Sequence, residues 1–65
     1  MEKEIKAFVC IVEEYNGNKT PTRVFAENEI EARSKLTRMF PKCYVSKAVR
    51  LKDYIADKNQ TIKDV

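Results

Sequence analysis

Residues 4–14 are apolar on both of the faces that a strand would present. One alternate set reads Ile5, Ala7, Val9 and Ile11, and the other reads Phe8, Cys10 and Val12. A strand with one wet face alternates apolar and polar residues, so this run predicts a strand covered on both sides. The stretch 15–21 carries Asn16-Gly17, and Asn-Gly favours the φ > 0 conformations of a tight hairpin turn. A two-residue Asn16-Gly17 loop would pair Val9 with Val24, Ala7 with Ala26 and Phe8 with Phe25. A Gly17-Asn18 loop slides that pairing by two residues and keeps the same faces. One face of the hairpin then holds Ala7, Val9, Ile11, Val24 and Ala26, and the other holds Phe8, Cys10, Val12 and Phe25. Pro21 has no N–H to give to a ladder, so the second strand is expected to be an edge at that end.

A helix is predicted from Asn28 onward. Asn28 is a good N-cap and Glu31 stands three residues on, the spacing of a capping box. Glu29 and Glu31 suit the positive end of the helix dipole, and Arg38 suits its negative end. Ala32, Leu36, Met39 and Phe40 fall on one side at helical spacing. Ile30 lies off that stripe and is expected to pack where the chain enters the helix. Pro41 disfavours helical geometry at Phe40, which ends the element there. The run 43–51 reads as a third strand: Val45, Val49 and Leu51 share one parity, broken by Lys47, while Tyr44, Ser46 and Ala48 take the other. A short helix over 53–58 and a fraying polar tail over 56–65 complete the chain.

These elements define an α+β fold of the β-β-α-β type, a three-stranded sheet with one helix, built as a single small domain over 1–55. The small side chains Ala7, Val9, Val24 and Ala26 suit close approach, so the helix is expected on their face. Phe8, Cys10, Val12 and Phe25 are then left on the far side. Contiguous apolar patches with aromatics mark interaction sites, so this face is expected to bind a second copy or a protein partner. The alternatives are that the segment around Tyr54 and Ile55 folds back over it, or that the helix lies on the aromatic side instead.

Length and composition narrow the chemistry. A chain of 65 residues buries only about 60% of its unfolded surface, so a staple or partner would add to a modest core. The hydrophobic fraction of 43% supports a folded domain. The longest apolar run, 7–12, is far too short to span a membrane. The opening MEKEIKAF has no signal-peptide pattern, so a cytoplasmic protein is expected. Two cysteines, Cys10 and Cys43, are expected as reduced thiols; a disulfide between them requires the third strand to lie beside the first. With no histidine, two thiols cannot close a zinc site within one chain.

Catalysis is not expected. No imidazole serves as a general base near neutral pH. Glu13 and Glu14 point to opposite strand faces, and the only glycine, Gly17, cannot build a phosphate-cradling loop. No cofactor is implied.

Charge is uneven along the chain. Residues 1–32 hold seven acids and four bases, net −3, and 33–65 hold nine bases and three acids, net +6, which sum to the overall +3. Arg33, Lys35, Arg38, Lys42, Lys47, Arg50 and Lys52 run from the mid-helix into the third strand. If they converged, Arg33, Arg38, Lys42, Lys47 and Arg50, with Tyr44 among them, would form a basic rim able to hold phosphates and stack a base. The stretch 24–36, VFAENEIEARSKL, resembles the strand-cap-helix segment of several small β-β-α proteins, including the archaeal ribosomal protein LX family. That resemblance implies a β-β-α fold and ribosomal RNA binding, with no contact residues carried over. The compact composition is also similar in style to small phage or mobile-element proteins that bind a host factor. The sequence therefore predicts a non-enzymatic interaction module, a homodimer engaging a protein partner. The alternative is a nucleic-acid or anionic-ligand binder using the basic rim.

Overall fold

A three-residue loop joins the first two strands, β1 (Lys6–Glu13) and β2 (Lys19–Ala26). The Gly17 N–H donates to the Glu14 carbonyl at 2.9 Å and the Glu14 N–H donates to the Asn18 carbonyl at 2.8 Å. Gly17 sits at φ 91°, the left-handed position that closes a type I turn in such loops. An odd-length loop moves the register by one residue from that of the two-residue loop expected above. Phe8 pairs with Val24, Ala7 with Phe25 and Cys10 with Thr22. A one-residue slip exchanges the faces of one strand relative to the other. Val24 and Ala26 therefore join Phe8, Cys10 and Val12, and Phe25 joins Ala7, Val9 and Ile11.

The structure is a computed structural model that describes residues 4–55 and 61–65. Helix α1 (Glu29–Met39) begins at Asn28, whose Oδ1 accepts the Glu31 N–H at 2.8 Å. It ends at Phe40, whose N–H donates to the Leu36 carbonyl just before Pro41. The helix packs on the Phe8 face. Phe8, Cys10, Val12, Val24, Ala26, Ala32, Leu36, Val45 and Ala48 make one buried cluster, with Phe40 and Cys43 against its margin. Ala26 and Ala32 have no exposed surface, and their small size leaves room for the Phe8 ring and Leu36. The expected helix position on the Ala7–Val9 side is thus corrected, and the reason is the register. Of the expected stripe, Ala32 and Leu36 are buried, Met39 is half exposed, and Ile30 lies in solvent rather than packing at the helix start.

Among the described residues the sheet has five strands rather than three. The run 43–51 forms two short strands, β3 (Tyr44–Val45) and β4 (Val49–Arg50), both antiparallel to β1. Val12 pairs with Val45 and Val9 with Val49, so three residues on this side oppose two on β1. The extra residue is a bulge, which bends the strand and changes its parity. Val45 and Ala48 consequently both enter the core, and Val49 turns to the other face. Ser46 spans the bulge: its N–H donates to the Ile11 carbonyl at 3.0 Å, and its Oγ accepts the Ile11 N–H at 2.8 Å. The hydroxyl takes the place of the carbonyl that a regular ladder would supply.

A 3-10 turn (Leu51–Asp53) packs against β1. Of the helix expected over 53–58, Asp53 closes this turn, and 56–58 lie outside the described residues. Strand β5 (Lys63–Asp64) runs parallel to the outer side of β2, pairing Thr22 with Lys63 and Arg23 with Asp64. The order is β3-β1-β2-β5 with β4 also on β1, a mixed sheet in an α+β chain. Among the described residues, no helix is long and apolar enough to cross a membrane. The second sheet face is partly covered: Val9 and Pro21 are buried, while Phe25 is 51% exposed and Val49 41%.

Candidate functional site

Phe8, Cys10 and Val12, expected on an interaction face, lie under the helix at 5% exposure or less. Phe25, expected beside them, is on the opposite side of β2. Burial pushes the Cys10 thiol above its ordinary range, and the nearby Arg33 guanidinium opposes that only in part. Such a thiol is quiet rather than nucleophilic. Both cysteines are free. The third strand does lie beside the first, but continuing its register sets Cys43 level with Glu14, about 13 Å along the strand from Cys10 and beyond disulfide reach.

The basic residues divide among separate depressions. Arg33 and Arg38 share one on the outer face of α1 with Ile30, Ser34 and Thr37. Lys42 and Tyr44 share another with Glu13, Glu14 and Tyr15, where the carboxylates offset the lysine. Arg50 lies over the Phe8 ring, 5.7 Å from its centre, beside the start of α1. Arg33 Nε donates to the Val45 carbonyl at 3.2 Å, which ties α1 to β3. Lys47 is exposed on the bulge. Among the described residues, no group of three or more metal-ligating side chains is gathered.

A different place gathers apolar surface with positive charge. Between the outer edge of β2 and the C-terminal half of α1 runs a groove lined by Val24, Phe25, Lys35, Arg38, Met39 and Val65. Phe25 and Met39 are each 51% exposed and Val65 44%. The bonded pair at Glu14 and Asn18 makes even positions of β2 face β1, so odd positions turn their backbone groups outward. The β5 ladder occupies that edge at Thr22 and Arg23. Beyond it, the Phe25 carbonyl accepts from Lys35 Nζ at 2.8 Å. Lys35 Nζ also lies 3.4 Å from a Glu31 carboxylate oxygen. Next to the groove, Arg23 stands over the Phe25 ring at 5.8 Å and its Nε lies 2.6 Å from Asp64 Oδ1. That contact falls outside hydrogen-bond geometry and acts as an ion pair only.

Sequence reasoning missed this groove. Met39 falls on the expected buried stripe and Phe25 on the other expected face, while Lys35 and Arg38 stand out in the sequence only as members of the basic run between 33 and 52. A three-residue reading of the turn would have moved Phe25 to the far side and pointed to the edge. No known protein family matches this chain, and neither does any curated protein or solved structure.

Proposed function

We propose that this protein is a non-enzymatic interaction module that binds a protein partner in the groove between β2 and α1. The observation that carries this reading is the half-exposed set Phe25, Met39 and Val65 beside a strand edge, rimmed by Lys35 and Arg38. Exposed apolar surface with a polar rim is how interaction sites differ from ordinary surface. The face holding Phe8, Cys10 and Val12 is core and offers a partner nothing. The nucleic-acid alternative has weaker support, because its basic residues occupy separate depressions and the Lys42–Tyr44 one contains two glutamates.

The test is selection of binders from a random peptide display library, followed by amide and methyl chemical-shift mapping on the labelled protein. Selected peptides should perturb Val24, Phe25, Lys35, Met39 and Val65, and Phe25→Asp with Met39→Lys should abolish binding while the spectrum stays folded. Perturbations confined to the outer face of α1 or to the Lys42–Tyr44 depression would overturn the assignment.

A further inference from the structure

We infer that the partner of this groove is a short extended segment of alternating acidic and apolar residues that adds to the outer edge of β2 at Phe25. The inference rests on the docking reading above and names its occupant. The β5 ladder covers Thr22 and Arg23 and its register sets Val65 level with Val24, so among the described residues β2 is left without a strand partner on that side only at Phe25–Ala26. The outward Phe25 carbonyl is therefore a ladder position held by a side chain, Lys35, at 2.8 Å. Covering a strand edge with charge or with a neighbouring helix is a common guard against unwanted pairing, and here Lys35 of α1 does both. It is also a reversible one: the Lys35 stem is flexible and the side chain is 44% exposed.

An incoming strand would take the Phe25 carbonyl with its own N–H and release Lys35. Side chains alternate along a strand, so one set would face α1 and the other would face the second side of the sheet. The set facing α1 meets Lys35, Arg38 and Met39, which line the groove together. Carboxylates fit there. The other set meets the Phe25 ring, where apolar side chains fit. Main-chain bonds supply affinity in this mode and the alternate pockets supply specificity. A second copy of this chain fits less well. Two copies meeting edge to edge about a twofold axis would bring Lys35 and Arg38 against their own counterparts, and like charges so placed select against that pairing.

The experiment uses the whole chain and three synthetic ten-residue peptides. The first alternates glutamate and valine; the second replaces glutamate with lysine; the third keeps the first sequence but carries N-methyl groups on alternate backbone nitrogens. Binding is read by fluorescence anisotropy at low salt and by shift mapping. The acidic peptide should bind at Phe25–Ala26 and weaken as salt is raised. The lysine peptide should bind at least about tenfold more weakly, since it exchanges attraction for repulsion. Methylation should cost at least about fivefold for each ladder bond removed, and Arg38→Glu should narrow or reverse the preference between the first two peptides.

Equal binding of the methylated peptide in the groove would overturn strand addition and leave the docking reading standing. A lysine peptide that binds as well as the acidic one would overturn the charge assignment. A concentration-dependent dimer abolished by Phe25→Lys, with no peptide bound, would make a second copy the occupant. If no peptide binds and the chain stays monomeric, strand addition is refuted. If library selection also finds no ligand for the groove, the docking reading falls with it.

Discussion

Replacing Ser46 with alanine isolates the bulge that joins β3 to β4. The Ser46 hydroxyl is the partner of the half-buried Ile11 N–H at 2.8 Å, while the return bond from the Ser46 N–H to the Ile11 carbonyl is made by backbone and survives the change. The substitution therefore removes one acceptor and nothing else in the ladder. A buried donor left without a partner costs about 1–3 kcal/mol. Ile11 is only half-buried, so water reaches part of the site and the lower end of that range applies, about 1–1.5 kcal/mol. A 65-residue domain has a total stability of roughly 3–10 kcal/mol, so this loss is a large share. It corresponds to a fall in Tm of about 4–12 °C. Urea unfolding followed by circular dichroism measures the difference, and native-state amide exchange locates it. Exchange at Ile11 should accelerate beyond what global destabilisation gives, and more than at Cys10 or Val12. Ser46→Thr keeps the hydroxyl and should recover most of the loss. Unchanged protection at Ile11, or Ser46→Ala within about 0.3 kcal/mol of the parent, would refute the account of the bulge.

Leu36 has no exposed surface and fills the space between α1 and the sheet; Leu36→Ala should cost about 2–5 kcal/mol, enough to leave much of the chain unfolded at 37 °C by calorimetry. Gly17→Ala should cost about 1–2 kcal/mol through backbone conformation alone, because φ is 91° and an added Cβ meets nothing within 4 Å; Gly17→Asn should cost less in the same urea assay. Native Cys10 should react with iodoacetamide far more slowly than Cys43 at pH 8, the two being separated by peptide mapping. The raised Cys10 pKa means that the folded state holds its thiol proton more tightly than the unfolded state. That contribution to stability is fully present below the ordinary thiol value of 9.0 and is lost as pH rises through the folded-state value; Cys10→Ala should flatten the alkaline decline seen by urea unfolding.

The order of the elements through the helix was legible, because each has a local cause. Asn28 caps, Pro41 stops, and the apolar run 7–12 needs cover on both sides. The pairing of β1 with β2 was not, since Asn16-Gly17 suits a two-residue loop and also the last two positions of a three-residue one. The choice lies in the backbone path from Glu14 to Asn18 rather than in the composition. That single residue decided which side Phe25 took, and with it which surface was available to a partner. The bulge was hidden for a related reason: Lys47 looked like a break in one parity of a regular strand, whereas the extra residue changes the parity itself. The groove depends on both strand placement and on β5, a pairing between residues some forty positions apart that no local pattern announces.

Pro21 bears on how this protein behaves when crowded. It is buried within β2 opposite Ile11, at one of the odd positions whose backbone groups point outward. Proline has no N–H to offer there. On this edge the β5 ladder already holds Thr22 and Arg23, and nearer the hairpin turn Pro21 leaves a gap in the donors, so an added strand finds its opening only at Phe25. The edge is thus open to a short visitor and closed to a long one. Fibril growth needs unbroken ladders repeated from copy to copy, and this edge cannot template them over its whole length. At high concentration this edge should therefore not propagate ladders from copy to copy, while under the proposed docking reading it still admits a brief stretch of foreign chain.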